Sequence, residues 1–415
     1  MQMKNYILKK LPHMGFFALV GVNIFFVVFL FQSRDVLEEL SKKANPYPEI
    51  ALLESLPTQS FLELTEYFSR IAREKGGAYA FEVLKRASVP LGTDMHLLGH
   101  VVGDILYAQD GLEGIKTCTH DFRNACSHTI VIGLFLEQGQ AALPQIAEAC
   151  YQAPGGSGAY TMCFHGLGHG VLAHAGYNLE KAAQLCQKTG TENYNYRESA
   201  ECVGGALMEM IAGIHDKDAW AKELPNYLKT EEPLYPCSAD FIPDEAKYMC
   251  YVYLTPHFFK VVGVNLSSPT LENYREAFRL CSEIPANETR NRDACYGGFG
   301  KEFVVLAQNR DIRKIESMTG EQLQTIYEWC LVADNKDGVI SCIHHATNSL
   351  YWGGENDRST AIQFCNLIGD SMHQEPCFDN LMGSVQTYIQ DRDYKNEFCD
   401  ELPISYQGKC RFHLL

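Results

Sequence analysis

Residues 276–281 read EAFRLC, residues 282–293 read SEIPANETRNRD and residues 294–306 read ACYGGFGKEFVVL. An apolar-periodic stretch ends in Cys281, a polar loop carrying Pro, Asn and Asp follows, and Cys295 opens a second apolar stretch. That is helix, loop, helix, with a cysteine at each lip of the loop. A disulfide between the two would staple the hairpin shut.

The same reading recurs along the chain. EGIKTC, KAAQLC, IYEWC and IQFC each close a first arm, and ACSHTIVIGLF, MCFHGLGHGVL, ECVGGALMEM, SCIHHATNSL and PCFDNLMGSV each open a second. The 16 cysteines fall into neighbours with none left over: Cys118 with Cys126, Cys150 with Cys163, Cys186 with Cys202, Cys237 with Cys250, Cys281 with Cys295, Cys330 with Cys342, Cys365 with Cys377, and Cys399 with Cys410. Zinc knuckles would show C-x2-C spacing, and no two cysteines stand closer than Cys118 and Cys126. Disulfides formed in an oxidising compartment are therefore expected.

Successive second cysteines lie 33 to 48 residues apart, a period typical of stacked helical hairpins. The expected fold is all-α: an elongated α-solenoid of about nine hairpins, eight closed by a local disulfide. The pattern resembles Sel1-like and tetratricopeptide helical-repeat proteins, most of all the secreted kind with disulfide-closed hairpins, from about Leu62 to the end. The resemblance implies that architecture and a concave face that binds ligands or a partner protein.

The amino end carries a different signal. Residues 1–10, MQMKNYILKK, supply three lysines, and residues 11–31, LPHMGFFALVGVNIFFVVFLF, contain no charge. The run is long enough to span a bilayer, and no small-residue cleavage site follows it. We expect a cytoplasmic tail (1–10), an uncleaved transmembrane signal anchor in the lipid bilayer (11–32), a charged stalk (33–57) and an extracytoplasmic repeat domain (58–415), periplasmic, extracellular or luminal. Within that domain Thr58 or Ser60 caps a first helix, and AYAFEVLKRASV with MHLLGHVVGDILYAQ forms a hairpin without cysteines. Trp220 and PNYLK fall in an insertion. The net charge of -16 and pI near 5.3 leave no basic stripe for nucleic acid.

Histidines occupy matching places in the first repeats, over about 75–177. Counted from the second cysteine, His165 is at plus two and His169 at plus six, and His128 is at plus two of its own unit. TDMHLLGHVVGD aligns without gaps, placing Asp94 where a cysteine would stand, with His96 at plus two and His100 at plus six. Residues four apart project from one helix face and can clamp one ion with two imidazoles. His96, His100, His128, His165 and His169 are thus candidate metal ligands, with His174, Glu137 or Asp104 as further ligands or orienting groups. Zinc, copper or iron would suit imidazole. Haem is less favoured, since C-x-x-C-H is missing, and H-E-x-x-H is missing too.

Two other readings compete. The glycines Gly99, Gly103, Gly166, Gly168 and Gly170 suit close helix packing, with histidine used only structurally in a metal-free scaffold for protein–protein interaction. Alternatively, the histidines do acid–base chemistry without metal. Farther along, Glu209, His257, Lys301, Glu302, His344 and His345 are polar candidates for the same groove, for which a solvated face is expected. The tyrosines near the loops, among them Tyr194, Tyr251 and Tyr296, pack over disulfides or form a stacking wall. Asn265 and Asn287 head glycosylation sequons.

Overall fold

A computed structural model describes residues 47–415 except 57–59, 91–92, 94, 120, 155, 214, 309–317 and 354–357. The expected tail, bilayer anchor and most of the stalk, together with Thr58, lie outside the described residues. Among the described residues no helix is long and apolar enough to cross a membrane, and all regular structure is helical.

The chain divides into two compact units. The smaller includes residues 47–56 and Arg86–Ser88. Helix α1 (Pro48–Glu54) begins with proline, whose missing N–H costs nothing in a first turn. Glu54 accepts the Ser88 N–H at 2.9 Å, and the Arg86 guanidinium covers the Tyr47 ring.

The larger unit runs over Thr58–Lys85 and Val89–Leu415. It opens with α2 (Phe61–Lys75), where Ser60 and Glu63 form a capping box, then α3 (Gly77–Arg86) and α4 (Met95–Asp110), the cysteine-free pair. The stapled series follows as α5 (Asp121–Gln138), α6 (Leu143–Gln152), α7 (Gly156–His174), α8 (Leu179–Gln187), α9 (Arg197–Ala212), α10 (Lys217–Tyr227), α11 (Asp244–Val261) and α12 (Leu271–Ser282). It ends with α13 (Thr289–Ala307), α14 (Gly320–Cys330), α15 (Lys336–Gly353), α16 (Arg358–Leu367), α17 (Ser371–Tyr388), α18 (Arg392–Glu401) and α19 (Ile404–Leu414). All eight expected disulfides form, each between Cα atoms 5.4–5.6 Å apart.

Two first arms depart from the helical expectation. Cys118 follows a 3-10 turn, Gly111–Thr117, because seven residues opened by left-handed Gly111 are too few for a stable α-helix. Cys237 sits in an irregular stretch where Pro233 and Pro236 remove backbone donors. The insertion around Trp220 is α10, pinned where the indole N–H donates to the Met210 carbonyl at 2.7 Å.

First and second arms bury differently. First arms such as α8 and α12 are amphipathic, with one buried stripe. Second arms such as α7 and α9 are buried nearly all round, as their Gly, Ala and Ser content allows. Along this inner row α4, α5, α7, α9, α11, α13, α15 and α17 pack each on the next.

The helical hairpins closed by disulfides are as expected, and within the larger unit the inner row curls until α17 meets α7. Ser157 Oγ donates to the Thr387 carbonyl at 3.0 Å, and Arg197 donates to the Tyr388 hydroxyl at 2.6 Å. Tyr388 lies so close to Gly158 that a Cβ there would overlap its ring. Glycines bring successive inner arms close together, as where a Cβ on Gly168 would meet the Cys202 carbonyl oxygen at 2.0 Å.

Candidate functional site

His96 and His100 lie one turn apart on α4, His128 on α5, and His165 and His169 one turn apart on α7. The close approach of these helices is a glycine effect. A Cβ on Gly166 would meet the His128 ring at 2.3 Å, and one on Gly205 would meet the His165 carbonyl oxygen at 1.9 Å. The glycines of CFHGLGHG are thus explained by packing, and that packing brings the histidines together.

The five rings form one contiguous array. Centroids are separated by 4.5 Å for His96–His100, 5.7 Å for His96–His128, 6.0 Å for His128–His165, 6.3 Å for His128–His169 and 5.4 Å for His165–His169. Within it, His96, His100 and His128 present ligand atoms that all lie within 4.8 Å of one another. His165 and His169 adjoin this trio through His128.

Hydrogen bonds set the tautomers. His96 Nδ1 is 2.6 Å from the Phe122 carbonyl oxygen, which can only accept, so Nδ1 carries the proton. Its Nε2 lone pair then faces His100 Nε2 at 3.0 Å. Two nitrogens each ~2.05 Å from a tetrahedral ion would sit roughly 3.3 Å apart, close to that separation. A ligating imidazole that gives its other N–H to a carbonyl is the usual outer arrangement around metals. The Phe122 carbonyl is aimed by an unusual turn: Phe122, Arg123 and Asn124 all have left-handed backbone, φ 55–62°, a strained state for residues with side chains.

His169 is held by an acid. Glu209 Oε2 lies 3.1 Å from His169 Nδ1 and 3.0 Å from His215 Nδ1, while Oε1 accepts the Tyr177 hydroxyl and the His215 backbone N–H. Burial would raise the Glu209 carboxyl, but the hydrogen bonds from His169 and His215 outweigh it and hold the group below the usual carboxylate range. His165 Nδ1 faces Glu201 Oε2 at 3.8 Å, too far for a hydrogen bond, and both atoms are buried without another hydrogen-bond partner. Burial raises the Glu201 carboxyl against the opposing Arg197.

His128 is 2% exposed, and among the described residues neither of its nitrogens has a hydrogen-bond partner. A buried polar atom left so costs ~1–3 kcal/mol, which coordination would relieve. Burial, reinforced by neighbouring imidazoles, holds His100, His128 and His165 well below the ordinary histidine value. Their rings are neutral near pH 7, the form a metal needs.

Other candidates fall elsewhere. His174 packs edge-on against Phe135, Glu137 is exposed beside Tyr107, and Asp104, its carboxyl pushed up to about 6 by its surroundings against the opposing pull of His215, stands near His215. His257 bonds the Lys229 carbonyl. Lys301 and His345 line a cavity in place of the expected solvated face. Sequence reading named Glu209 without linking it to His169, and missed His215, Glu201 and Tyr177. Glu201 directly precedes a second cysteine and offered a positional signal, whereas His215 lies past the end of α9 and matches no repeat position.

Comparison with known protein families, curated proteins and solved structures finds no match.

Proposed function

We propose that this chain is a membrane-anchored, extracytoplasmic helical-repeat protein that holds a transition metal ion on His96, His100 and His128, with His165 and His169 as adjoining imidazoles beside the ion. The observation that carries the reading is His128, a buried imidazole with two unpartnered nitrogens, facing the Nε2 lone pair of His96 within a trio of converging ligand atoms. Zinc, copper and iron all accept such a set. Three imidazoles leave a coordination position at which the ion would polarise a substrate or activate water. Eight disulfides support an oxidising compartment, and the uncharged run over 11–31 supports the bilayer anchor.

The test is metal analysis of the full chain, purified in detergent from an oxidising host. Stoichiometric zinc, copper or iron is expected, falling by at least half in His96→Ala/His100→Ala and in His128→Ala variants whose helical circular dichroism matches the parent. Metal content unchanged in those variants, with stability lost instead, would favour the metal-free scaffold.

A further inference from the structure

A cavity of about 420 Å³ opens between four successive inner arms, with walls that include Tyr248 of α11, Arg290 and Asp293 of α13, His344 and Asn348 of α15, and Asn380 of α17. Its size falls within the ~300–1,000 Å³ of small-ligand pockets, and none of its residues belongs to the five-histidine array. We propose that it binds a free α-amino acid with a carboxamide side chain, held as a zwitterion. The proposal is independent of the metal reading above.

Charges on α13 select the head group. Arg290 and Asp293 stand three residues apart on that helix, so they share one face with Cβ atoms roughly 5–6 Å apart. Among the described residues neither is in an ion pair, with the other or elsewhere. The Arg290 guanidinium lies 3.7 Å from the centroid of the Tyr248 ring and bonds that residue's hydroxyl, which fixes its plane and leaves further N–H donors for a carboxylate. Burial and repulsion from Asp337 raise the Asp293 carboxyl, with Arg292 opposing, and an ammonium beside it would relieve that cost. An α-amino acid carries ammonium and carboxylate on one carbon and meets both charges at once. A neutral polyol would leave both without a counter-ion, and a simple anion or cation would leave one.

Two wall amides select the side chain. Asn380 Nδ2 donates to the His344 carbonyl at 2.9 Å and to Asn348 Oδ1 at 2.8 Å, which uses both of its protons and leaves Oδ1 as an acceptor. Asn348 Oδ1 accepts a second bond, from Ser384 Oγ at 2.8 Å, so Asn348 has its Nδ2 donors left to give. The wall therefore offers one amide acceptor and one amide donor side by side, the complement of a carboxamide. His344 adds a buried Nε2 without a hydrogen-bond partner among the described residues. Burial holds that imidazole below its ordinary value, against the pull of the Pro376 backbone and Asp379, so the ring is neutral near pH 7. A ligand N–H or carbonyl meeting Nε2 would satisfy an atom that is otherwise costly to bury.

L-Glutamine is the probe and isothermal titration calorimetry the readout, on the full chain in detergent. Saturable binding is expected, with glutaramate (no ammonium), 4-aminobutanamide (no carboxylate) and L-leucine (no amide) each weaker by at least about tenfold, the worth of a charge-assisted or buried polar contact. Arg290→Gln should erase the preference for glutamine over 4-aminobutanamide and keep that over glutaramate, and Asp293→Asn should do the reverse. Both side chains are exposed, so the variants should keep the parent's thermal midpoint. The proposal is overturned if glutamine fails to bind, if any of the three analogues binds as well as glutamine, or if either charge removal weakens all four compounds alike. The analogue series on the parent chain decides the matter even where a variant fails to fold.

Discussion

Gly166, Gly205 and Gly298 stand three residues after their second cysteines, and each presses on the residue two after the cysteine of the preceding second arm: His128, His165 and Val252. One register therefore sets both the helix spacing and the place of two histidines. The CFHGLGHG cluster needs its glycines for helix contact, and it needs its histidines where that contact converges. His345 gives this scale a measurable consequence. Burial, with repulsion from His344 and Lys301, pushes its imidazole down to about 4, against an ordinary value of 6.5. Between those values the unfolded chain binds a proton that the folded chain refuses, so stability falls as pH drops from about 6.5 to about 4. The full loss is on the order of 3 kcal/mol. Thermal midpoints of the parent and His345→Gln, compared between pH 7 and pH 4.5, should show the parent losing more. Parallel pH profiles would remove this role.

At the scale of the helical hairpin, the staple and the packing act together. Cys186 and Cys202 are fully buried, and their disulfide closes a separation of 16 residues. Loops of that length confer about 3 kcal/mol through the unfolded chain. The Cys186→Ala/Cys202→Ala variant should lose about that much in guanidinium unfolding under non-reducing conditions, and an unchanged midpoint would mean that α8 and α9 hold each other without the bond. The hairpin was legible because its cysteines bracket a polar loop between an amphipathic arm and a small-residue arm. The first arms of Cys118 and Cys237 were not, because left-handed Gly111 and the Pro233 and Pro236 pair override the apolar pattern locally.

Across the larger unit, closure of α17 on α7 turns a row of hairpins into a ring of inner helices around a cavity. Tyr388 does much of this, meeting Gly158, Arg197 and the Trp352 ring, whose centroid is 4.0 Å away. Tyr388→Ala should lower stability by roughly 2 kcal/mol, below the 3–5 kcal/mol of a fully buried aromatic because the ring is only partly covered. It should also shift tryptophan emission to the red as Trp352 meets water. Emission and stability unchanged from the parent would show that the ring closes without this side chain.

Local chemistry was enough to derive the hairpins, the eight cysteine partnerships and the five histidines in register, since each depends on residues close in the chain or at a repeated offset, while the choice of Ser60 over Thr58 as the first cap was left to the structure. Closure, the hold of Glu209 on His169 and His215, and the meeting of Arg123, Glu201 and Lys301 in one cavity were decided by the fold. These involve side chains from different repeats, and their distances depend on the small rotation between successive hairpins. That rotation accumulates from packing at every helix contact, and no short segment encodes the total.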